Sequence, residues 1–252
     1  MIVAIFCVWD GLELLRAAVD NIKKSVDQVI IVFSVNSNYG ETIEFPIDEY
    51  QDCLLVNFEP NLQYKPARNE TAKRNAGLEY AKRIGAEFFI MLDADEFYDP
   101  KEFSESMKLM AYKSIKGLVC KSKVYFKSPT LTIGLDTTYV TAIHRMEKNL
   151  QFVYNYQAYP FVTHKGILRI DPTRRPNVDD GIMLTGNMTM HHYSWCRKDI
   201  MQKIRNSTAP SLRERKDLIL EDLELAAPGR MCATYNKELY PAADQFNLSG
   251  LF

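Results

Sequence analysis

Blocks of apolar residues separated by polar segments dominate the first hundred residues of the chain. Residues 2–8 form an unbroken apolar run, which is typical of a strand that is covered on both faces. Over residues 12–26 the apolar positions recur every three or four residues, as on one stripe of an amphipathic helix. The β-branched run at 29–33 and the segment at 53–58 predict two further strands.

A second helix and a fourth strand complete this half of the chain. Small and apolar residues share one helical face from about residue 69 to 84, Gly85 stands where a helix stop belongs, and residues 88–92 are again apolar. The order β-α-β-β-α-β predicts an α/β fold with a mostly parallel central sheet and helices on its faces. Because ligands of such sheets bind beyond the carboxyl ends of the strands, the segments after the strands should converge on one crevice.

The pattern in the second half is less regular. It predicts strands at 117–126, 150–156 and 187–195, and amphipathic helices at 197–207 and 212–227. A segment rich in Pro, Asp and Arg, which precedes the last of these strands, predicts a loop.

Composition and charge exclude several classes of protein. The chain has 252 residues, of which 46% are hydrophobic, and a formal net charge of -1, so no global basic bias points to nucleic acid or to an anionic membrane. The first apolar run ends at Trp9 and lacks the flanks of a signal peptide, and we expect no transmembrane segment. Five scattered cysteines without a C-x-x-C pair favour a reducing compartment, the cytoplasm.

The strongest candidate for chemistry is the sequence Asp93-Ala94-Asp95-Glu96, which directly follows the fourth apolar run. Carboxylates at i and i+2 suit a hard divalent cation, Mg²⁺ or Mn²⁺, that keeps open positions for phosphate oxygens. Any strand must also exit into polar residues, and for an isolated D-x-D this simpler explanation would be preferred. The position after the fourth strand of an α/β half favours a metal site.

The segment around this cluster resembles the nucleotide-sugar-dependent glycosyltransferases of the family 2 type, which have the glycosyltransferase A fold. The matching features are K-R-N-A-G at 73–77, the helix up to Gly85, the strand at 88–92 and the D-x-D motif. The resemblance is good over residues 1–100 and weaker beyond. It implies a single domain, 1–252, with a nucleotide-sugar half up to about residue 100 and an acceptor half from about residue 101. Where many relatives carry an Asp pair after the second strand, this chain has S-V-N-S at 34–37.

The resemblance also implies roles for individual residues. Asp95 would ligate Mn²⁺ or Mg²⁺, and Asp93 would meet the metal, its water shell or the ribose. The metal would bridge the two phosphates of a nucleotide-diphosphate sugar, with a UDP-sugar as the first expectation. Lys73 and Arg74 would add fixed positive charge near the phosphates or orient Asp93, with a solvated basic helix face as the alternative for either residue. The residues expected to contact the donor are Cys7, Trp9, Asp10, Asn36, Lys73, Arg74, Asp93 and Arg197.

A late histidine pair offers a further metal ligand. His191 and His192 begin H-H-Y-S-W at the end of a predicted strand, and neighbouring residues on a strand point to opposite faces. The motif resembles the late histidine element of some family 2-like enzymes. We favour His192 over His191 as the ligand, and an imidazole would favour Mn²⁺ over Mg²⁺. A core histidine bound to backbone is the alternative for either residue.

The catalytic base is the least defined part of the predicted site. An inverting transfer needs a carboxylate near the acceptor hydroxyl, and the Glu expected from the resemblance is missing. Asp179 and Asp180 are the best substitutes, with Glu147 next. Glu96 either orients the acceptor side or only turns the chain. A retaining enzyme would need no such base, so both stereochemical outcomes stay open.

Three functions fit these observations. The preferred one is a metal-dependent hexosyl- or pentosyltransferase that moves sugar from a nucleotide-diphosphate sugar to a glycan or lipid-linked saccharide. The second uses the same donor but modifies hydroxymethylated bases in DNA, since basic and aromatic segments in the second half could follow a phosphate backbone. The third is an inactive nucleotide-binding protein. A nucleotidyltransferase is less favoured because no Gly-rich phosphate loop follows the first strand.

Overall fold

The computed structural model of the chain describes residues 1–154, 162–163, 166–167, 169–170, 172–178 and 181–252. Its first half is built from five strands and three helices. They are β1 (Ile2–Val8), α1 (Leu12–Ile22), β2 (Gln28–Phe33), β3 (Leu54–Asn57), α2 (Pro66–Arg83), β4 (Phe88–Leu92), β5 (Glu96–Phe97) and α3 (Pro100–Leu109).

The first four strands form a parallel sheet in the order β3-β2-β1-β4. Val32 lies beside Cys7, and Leu92 lies beside Phe6, so the strands end at one edge. Their unbroken apolar runs are explained by burial on both faces, since α1 packs on one face and α2 on the other. The α/β fold class predicted from the sequence is confirmed.

A glycine controls how closely α2 approaches the sheet. A Cβ atom at Gly77 would lie 2.4 Å from Cγ2 of Ile5 and 2.7 Å from Cγ2 of Val32. Both neighbours are fully buried, so neither can move away without disturbing the core. The absence of a side chain at this position therefore sets the helix directly on the strands, and with it the basic residues one turn earlier.

The second half extends the same sheet with long strands. Its elements are β6 (Gly117–Phe126), β7 (Ser128–Arg145), β8 (Val162–Thr163), β9 (Gly166–Ile167), β10 (Arg169–Ile170), β11 (Ile182–Trp195), α4 (Ile200–Asn206), α5 (Pro210–Glu214), α6 (Lys216–Glu224), β12 (Met231–Cys232), β13 (Lys237–Glu238) and β14 (Tyr240–Pro241). Three 3₁₀ turns cover Ile47–Tyr50, Pro172–Arg174 and Ser249–Leu251.

The order of the main sheet continues as β4-β7-β6-β11-β5, with β10 and β14 paired to β7. The pairs β4–β7 and β6–β7 are antiparallel, whereas β11 runs parallel to β6 and antiparallel to β5. The pairing of β5 with β11 places Glu96 opposite His192. This register brings the acidic segment after β4 next to the late histidines, although about a hundred residues separate them in sequence.

Three predictions for the second half need correction. The strand β7 was not predicted. The strand predicted at 150–156 is wrong for residues 150–154, which make only an isolated bridge between Phe152 and Pro176; residues 155–156 lie outside the described part. Phe152 instead exchanges two hydrogen bonds with the side-chain amide of Asn75 in α2, at 2.7 and 3.0 Å, and packs against Phe89. The helix predicted at 212–227 is two helices, divided at Arg215. Across the described ranges, no helix has both the length and the apolar character needed to span a bilayer.

Candidate active site

The polar segments that follow β1, β2 and β4 converge on one crevice, as the parallel arrangement predicts. The predicted donor-contact residues all line it: Cys7, Trp9, Asp10, Asn36, Lys73, Arg74, Asp93 and Arg197. Asp95 and His192, from the predicted metal set, line it as well. The roles assigned to these residues stay predictions, but the structure brings them together.

Asp93 and Glu96 share Arg174, and Asp93 also faces Arg74; we call these four residues the Asp93 network. The two carboxylate oxygens of Asp93 face Arg74 and Arg174, at 3.2 and 2.6 Å. Arg174 also holds both oxygens of Glu96, at 2.6 and 3.0 Å. Desolvation opposes ionisation of Asp93, but the charges of Arg174 and Arg74 outweigh it and hold its pKa at about 2. For Glu96, desolvation prevails and raises the pKa despite Arg174.

Asp95 belongs to a second set of charges, the Asp95 network, with Asp10, His192, Arg197 and Lys203. Arg197 donates to Oδ2 of Asp95, and its Nη1 lies 2.8 Å from Oδ2 of Asp10. Nζ of Lys203 lies 3.5 Å from the same oxygen of Asp95, and Nε2 of His192 lies 3.6 Å from Oδ1. Desolvation works against ionisation of Asp95, yet Arg197 and Lys203 keep its pKa well below the usual value.

A glycine in the turn between β1 and α1 allows the guanidinium of Arg197 to approach the backbone closely. Gly11 adopts a φ of 72°, in the left-handed region that favours glycine. A Cβ at this position would lie 2.7 Å from Nη1 of Arg197. The guanidinium therefore lies directly against the backbone of the turn, and its position is fixed by Asp10 and Asp95 from two different strand ends.

The two histidines occupy opposite faces of β11, as alternation along a strand predicts. His192 is partly exposed and lines the crevice. His191 is buried, and its Nδ1 lies 2.8 Å from the hydroxyl of Tyr125. Burial lowers the pKa of His191 to about 4, as expected of a neutral core histidine.

The residues at the crevice fit a divalent cation. Asp95, Glu96 and His192 each present a ligand atom, and these atoms lie within 4.8 Å of one another. Both oxygens of Glu96 are engaged by Arg174, whereas no arginine among the described residues engages Oδ1 of Asp95 or Nε2 of His192, which makes these two atoms the preferred ligand pair. Oxygen and imidazole ligands suit Mn²⁺ and Mg²⁺, with the imidazole favouring Mn²⁺. Asp93, also predicted as a ligand, faces the two arginines instead.

Two basic residues have positions that were predicted differently or not at all. Lys203 was not singled out, because a lysine on an amphipathic helix is an ordinary solvent-facing residue; here its side chain is 15% exposed. Arg174, in the segment predicted as a loop, is buried between two carboxylates. Asp179 and Asp180, the predicted bases, lie outside the described residues. Glu147 lies 3.9 Å from Lys116 and not in the crevice.

Lys73 supports the end of β1. Its side chain is buried, and Nζ donates a 2.8 Å hydrogen bond to the carbonyl of Val8. Desolvation lowers the pKa of this amine. Cys7, the neighbouring crevice residue, has its thiol pKa raised to about 12 by burial, so it acts as an apolar wall rather than as a nucleophile.

No protein-family model matches the sequence, and no curated protein matches it. Solved structures are similar to it at low identity. TarS 1–349 of S. aureus aligns over 88% of this chain and 70% of its own length, with 14% identity and a TM-score of 0.48. Its complex with UDP aligns over 49% of this chain, with 14% identity and a TM-score of 0.38. Glucosyl-3-phosphoglycerate synthase of Mycobacterium tuberculosis, in complex with Mn²⁺, UDP and phosphoglyceric acid, also aligns over 49% of this chain, with 18% identity and a TM-score of 0.34.

This chain spans 36% of the length of the TarS–UDP structure and 43% of the length of the synthase. At such identities and TM-scores the likeness assigns no activity to this chain.

Proposed function

We propose that this protein is a glycosyltransferase that moves a sugar from a nucleotide-diphosphate sugar, with Mn²⁺ or Mg²⁺ as its metal. The observation that carries the proposal is the Asp95 network at the edge of the parallel strands. It sets a carboxylate, an imidazole and two cations around one open crevice. A diphosphate is the ligand that such a combination suits, because its oxygens bind a metal and cationic side chains together.

Asp95 and His192 would hold the metal. When bound, it would supply Lewis-acid stabilisation of the leaving diphosphate and a template for its oxygens. The ligand atoms on the two residues face each other, whereas the other oxygen of Asp95 is already held by Arg197. This division lets one carboxylate orient a cationic side chain and a metal at once.

Arg197 and Lys203 would stabilise the negative charge that develops on the leaving group. Arg197 is fixed by Asp10 and by the backbone at Gly11, and Lys203 lies over the ring of Trp195, 5.9 Å from its centroid. Charges that are oriented before the reaction need no reorganisation when it occurs, which is the main source of electrostatic catalysis.

The nucleoside end of the donor would lie toward Trp9 and Asn36. Trp9 is tethered by a 3.3 Å hydrogen bond from its indole to the carbonyl of Val35. Asp93 is 35% exposed despite its two arginines, so it can accept a hydrogen bond from a ribose hydroxyl. We take a UDP-sugar as the first donor to test, with a saccharide as the acceptor and the cytoplasm as the site of action.

In the transfer, the acceptor hydroxyl oxygen bonds to the anomeric carbon while the bond from that carbon to the diphosphate oxygen breaks. The nucleoside diphosphate leaves with the electron pair, and the hydroxyl proton passes to a base. Asp179 and Asp180 stay the candidates for that base. Glu96 is less suited to the role, because it is 2% exposed and both its oxygens are bound by Arg174.

Thermal unfolding tests the proposal. UDP and UDP-sugars should raise the unfolding temperature in the presence of Mn²⁺ and much less without it, since a ligand stabilises only the state that binds it. The substitution Asp95→Asn should abolish the metal-dependent part of the shift. Asp48→Asn, at an exposed carboxylate outside the crevice, is the matched control and should behave as the wild type. Equal shifts with and without Mn²⁺ in the wild type would refute the metal assignment.

A further inference from the structure

A second cavity, of about 660 Å³, adjoins the crevice and shares Thr208 with it. The volume lies within the range of about 300–1,000 Å³ that is typical of ligand sites. The cavity lies between the loop after β2, the start of α2 and the segment that leads into α5. We call it the tyrosine–arginine groove, after the residues that define it: Tyr39, Tyr64, Arg68, Tyr154 and Arg213.

Aromatic rings are unusually accessible here. Tyr39 is 44% exposed, and Tyr64 and Tyr154 are each 39% exposed. Large rings of this kind present flat apolar faces that bind the C–H face of a sugar or another ring. Three such rings around one cavity indicate a surface that is built to contact a ligand.

The guanidinium group of an arginine stacks on two of these tyrosine rings. The guanidinium carbon of Arg68 lies 3.8 Å from the ring centroid of Tyr64, and that of Arg213 lies 4.9 Å from the ring centroid of Tyr39. Arg213 also donates to the hydroxyl of Tyr39 and to the carbonyl of Ser207. These contacts hold both cations in place before any ligand binds, which reduces the entropy lost on binding.

The charges of the groove differ from those of the crevice. In the crevice, Arg74 and Arg197 each face a carboxylate within 4.0 Å. Among the residues that the structure describes, neither Arg68 nor Arg213 forms such an ion pair. Within the described residues the groove therefore presents positive charge that no carboxylate pairs, beside stacking surfaces, and this combination is complementary to an anionic group attached to a ring.

We propose that the tyrosine–arginine groove binds the acceptor, and that this acceptor is a phosphorylated saccharide. The proposal rests on the function proposed above and adds no chemical step to it. The sugar ring would stack on the tyrosines while its phosphate meets Arg68 and Arg213. The shared wall at Thr208 lets an acceptor extend from the groove toward the donor in the crevice.

Isothermal titration calorimetry tests this assignment with glucose 6-phosphate, ribose 5-phosphate, glucose and inorganic phosphate as probes. A sugar phosphate should bind the wild-type protein more tightly than glucose or phosphate alone. Arg68→Gln and Tyr64→Ala should each weaken its binding about tenfold, as expected when one charged contact or one stacking face is lost. The affinity for UDP with Mn²⁺ should stay unchanged in both variants.

Arg83→Gln is the matched control. Arg83 belongs to the same helix and lies over a tyrosine in the same way, 4.9 Å from the ring centroid of Tyr80, but it lies outside the groove. This variant should bind every probe as the wild type does. For Arg213→Gln, both the affinity for sugar phosphate and the unfolding temperature should be measured. Weaker binding at an unchanged unfolding temperature would show that Arg213 contacts the ligand, whereas a lower unfolding temperature would report the lost contacts to Tyr39 and Ser207.

Three results would overturn the assignment. If Arg68→Gln weakened UDP as much as sugar phosphate, the groove would belong to the nucleotide. If an oligo(dT) probe displaced the sugar phosphates, the groove would bind nucleic acid. If no sugar phosphate bound the wild-type protein, the groove would have no such ligand. Failure of UDP to bind the wild type in the same titrations would instead refute the proposed donor, which keeps the two hypotheses distinguishable.

Discussion

Asp93 and Asp95 are two positions apart in the sequence at the end of β4, yet the networks that form around them differ in chemistry. In each, two carboxylates face two basic side chains. The first uses arginines alone, and Arg174 binds both acids of its network. The second adds a lysine and an imidazole, and all its members line the crevice, whereas only Asp93 and Arg74 of the first do.

This difference in chemistry suits the two networks to different roles, one in holding the structure together and the other in binding ligands. Planar guanidinium groups with several bonds hold chain segments in a fixed arrangement. A lysine and an imidazole exchange partners more readily than a guanidinium with several bonds, so the second network can accept a metal and a diphosphate without losing its own structure. We therefore expect the Asp93 network to govern stability and the Asp95 network to govern ligand binding and turnover.

The largest effect should follow from Asp95→Asn. Its carboxylate orients Arg197 and is the better of the two metal ligands, so the release of UDP from a UDP-sugar should fall by at least about 100-fold. Turnover is measured by coupled detection of UDP in the presence of Mn²⁺. Asp48→Asn should keep wild-type turnover. A loss of less than about threefold in Asp95→Asn would remove the distinction between the networks.

The next effect in size should be the destabilisation caused by Arg174→Gln. This change leaves the buried carboxylate of Glu96 without its partner, and breaking a buried ion pair costs about 3–5 kcal/mol of unfolding free energy. Urea denaturation measures it. The double variant Glu96→Gln/Arg174→Gln should recover part of the loss, because neither charge is then left alone. Arg205→Gln, in the exposed pair with Glu41, should change stability little.

The dependence of the unfolding free energy on pH should involve His144, a residue outside both networks. Burial lowers the pKa of His144 to about 4, against about 6.5 in an unfolded chain. Between these values the unfolded state binds the extra proton, so stability is complete above about pH 6.5 and falls toward pH 4. The carboxyls of Asp93 and Asp95 stay ionised throughout this window.

Urea midpoints measured from pH 7 to 4.5 check this expectation. His144→Gln should reduce the slope of unfolding free energy against pH by about half, since the buried His191 titrates in the same window. Asp93→Asn should leave the slope unchanged. A slope that disappeared in Asp93→Asn and persisted in His144→Gln would assign the titration to the acid cluster instead.

The smallest effect should be that of His192→Gln on metal affinity. Loss of one neutral ligand should weaken Mn²⁺ binding about tenfold, measured by electron paramagnetic resonance of free Mn²⁺. The neighbouring variant His191→Gln is the control: it should keep the affinity for Mn²⁺ but lower stability, because His191 is buried against Tyr125. The reverse pattern would exchange the roles of the two histidines.

Local pattern predicted the first half well because β1, β2 and β4 are buried on both faces and carry unbroken apolar runs. The strand β7 gave no such signal: it contains Pro129 and Gly134, and its pairing with β6 shifts register several times. The residues at 150–154 carry strand-like side chains, but the amide of Asn75 binds the backbone of Phe152 and removes it from strand pairing. Contacts of this kind depend on the tertiary fold and leave no periodic mark.

The candidate site was predictable in part. The spacing of Asp93 and Asp95 after a buried strand pointed to the crevice, and alternation along β11 separated the histidines. The choice of partner for each acid was not predictable. Arg174 reaches Glu96 across 78 residues of sequence, and Arg197 reaches Asp95 across 102. The register of β5 on β11 brings Arg197, just after that strand, to the acids, whereas Arg174 comes from the 3₁₀ turn at 172–174.

That register has a consequence for biosynthesis. A ribosome completes β4 and its carboxylates well before it adds Arg174, Arg197 and Lys203, because translation proceeds at roughly 5–20 residues per second. Until Arg174, Arg197 and Lys203 are added, Arg74 is the one cation of the two networks that the acids at the end of β4 can face, and their mutual repulsion is largely uncompensated. The pairing of β5 with β11 can form only after the second half has been synthesised. Contacts between residues so distant in sequence slow folding, so we expect the two halves of the chain to fold together.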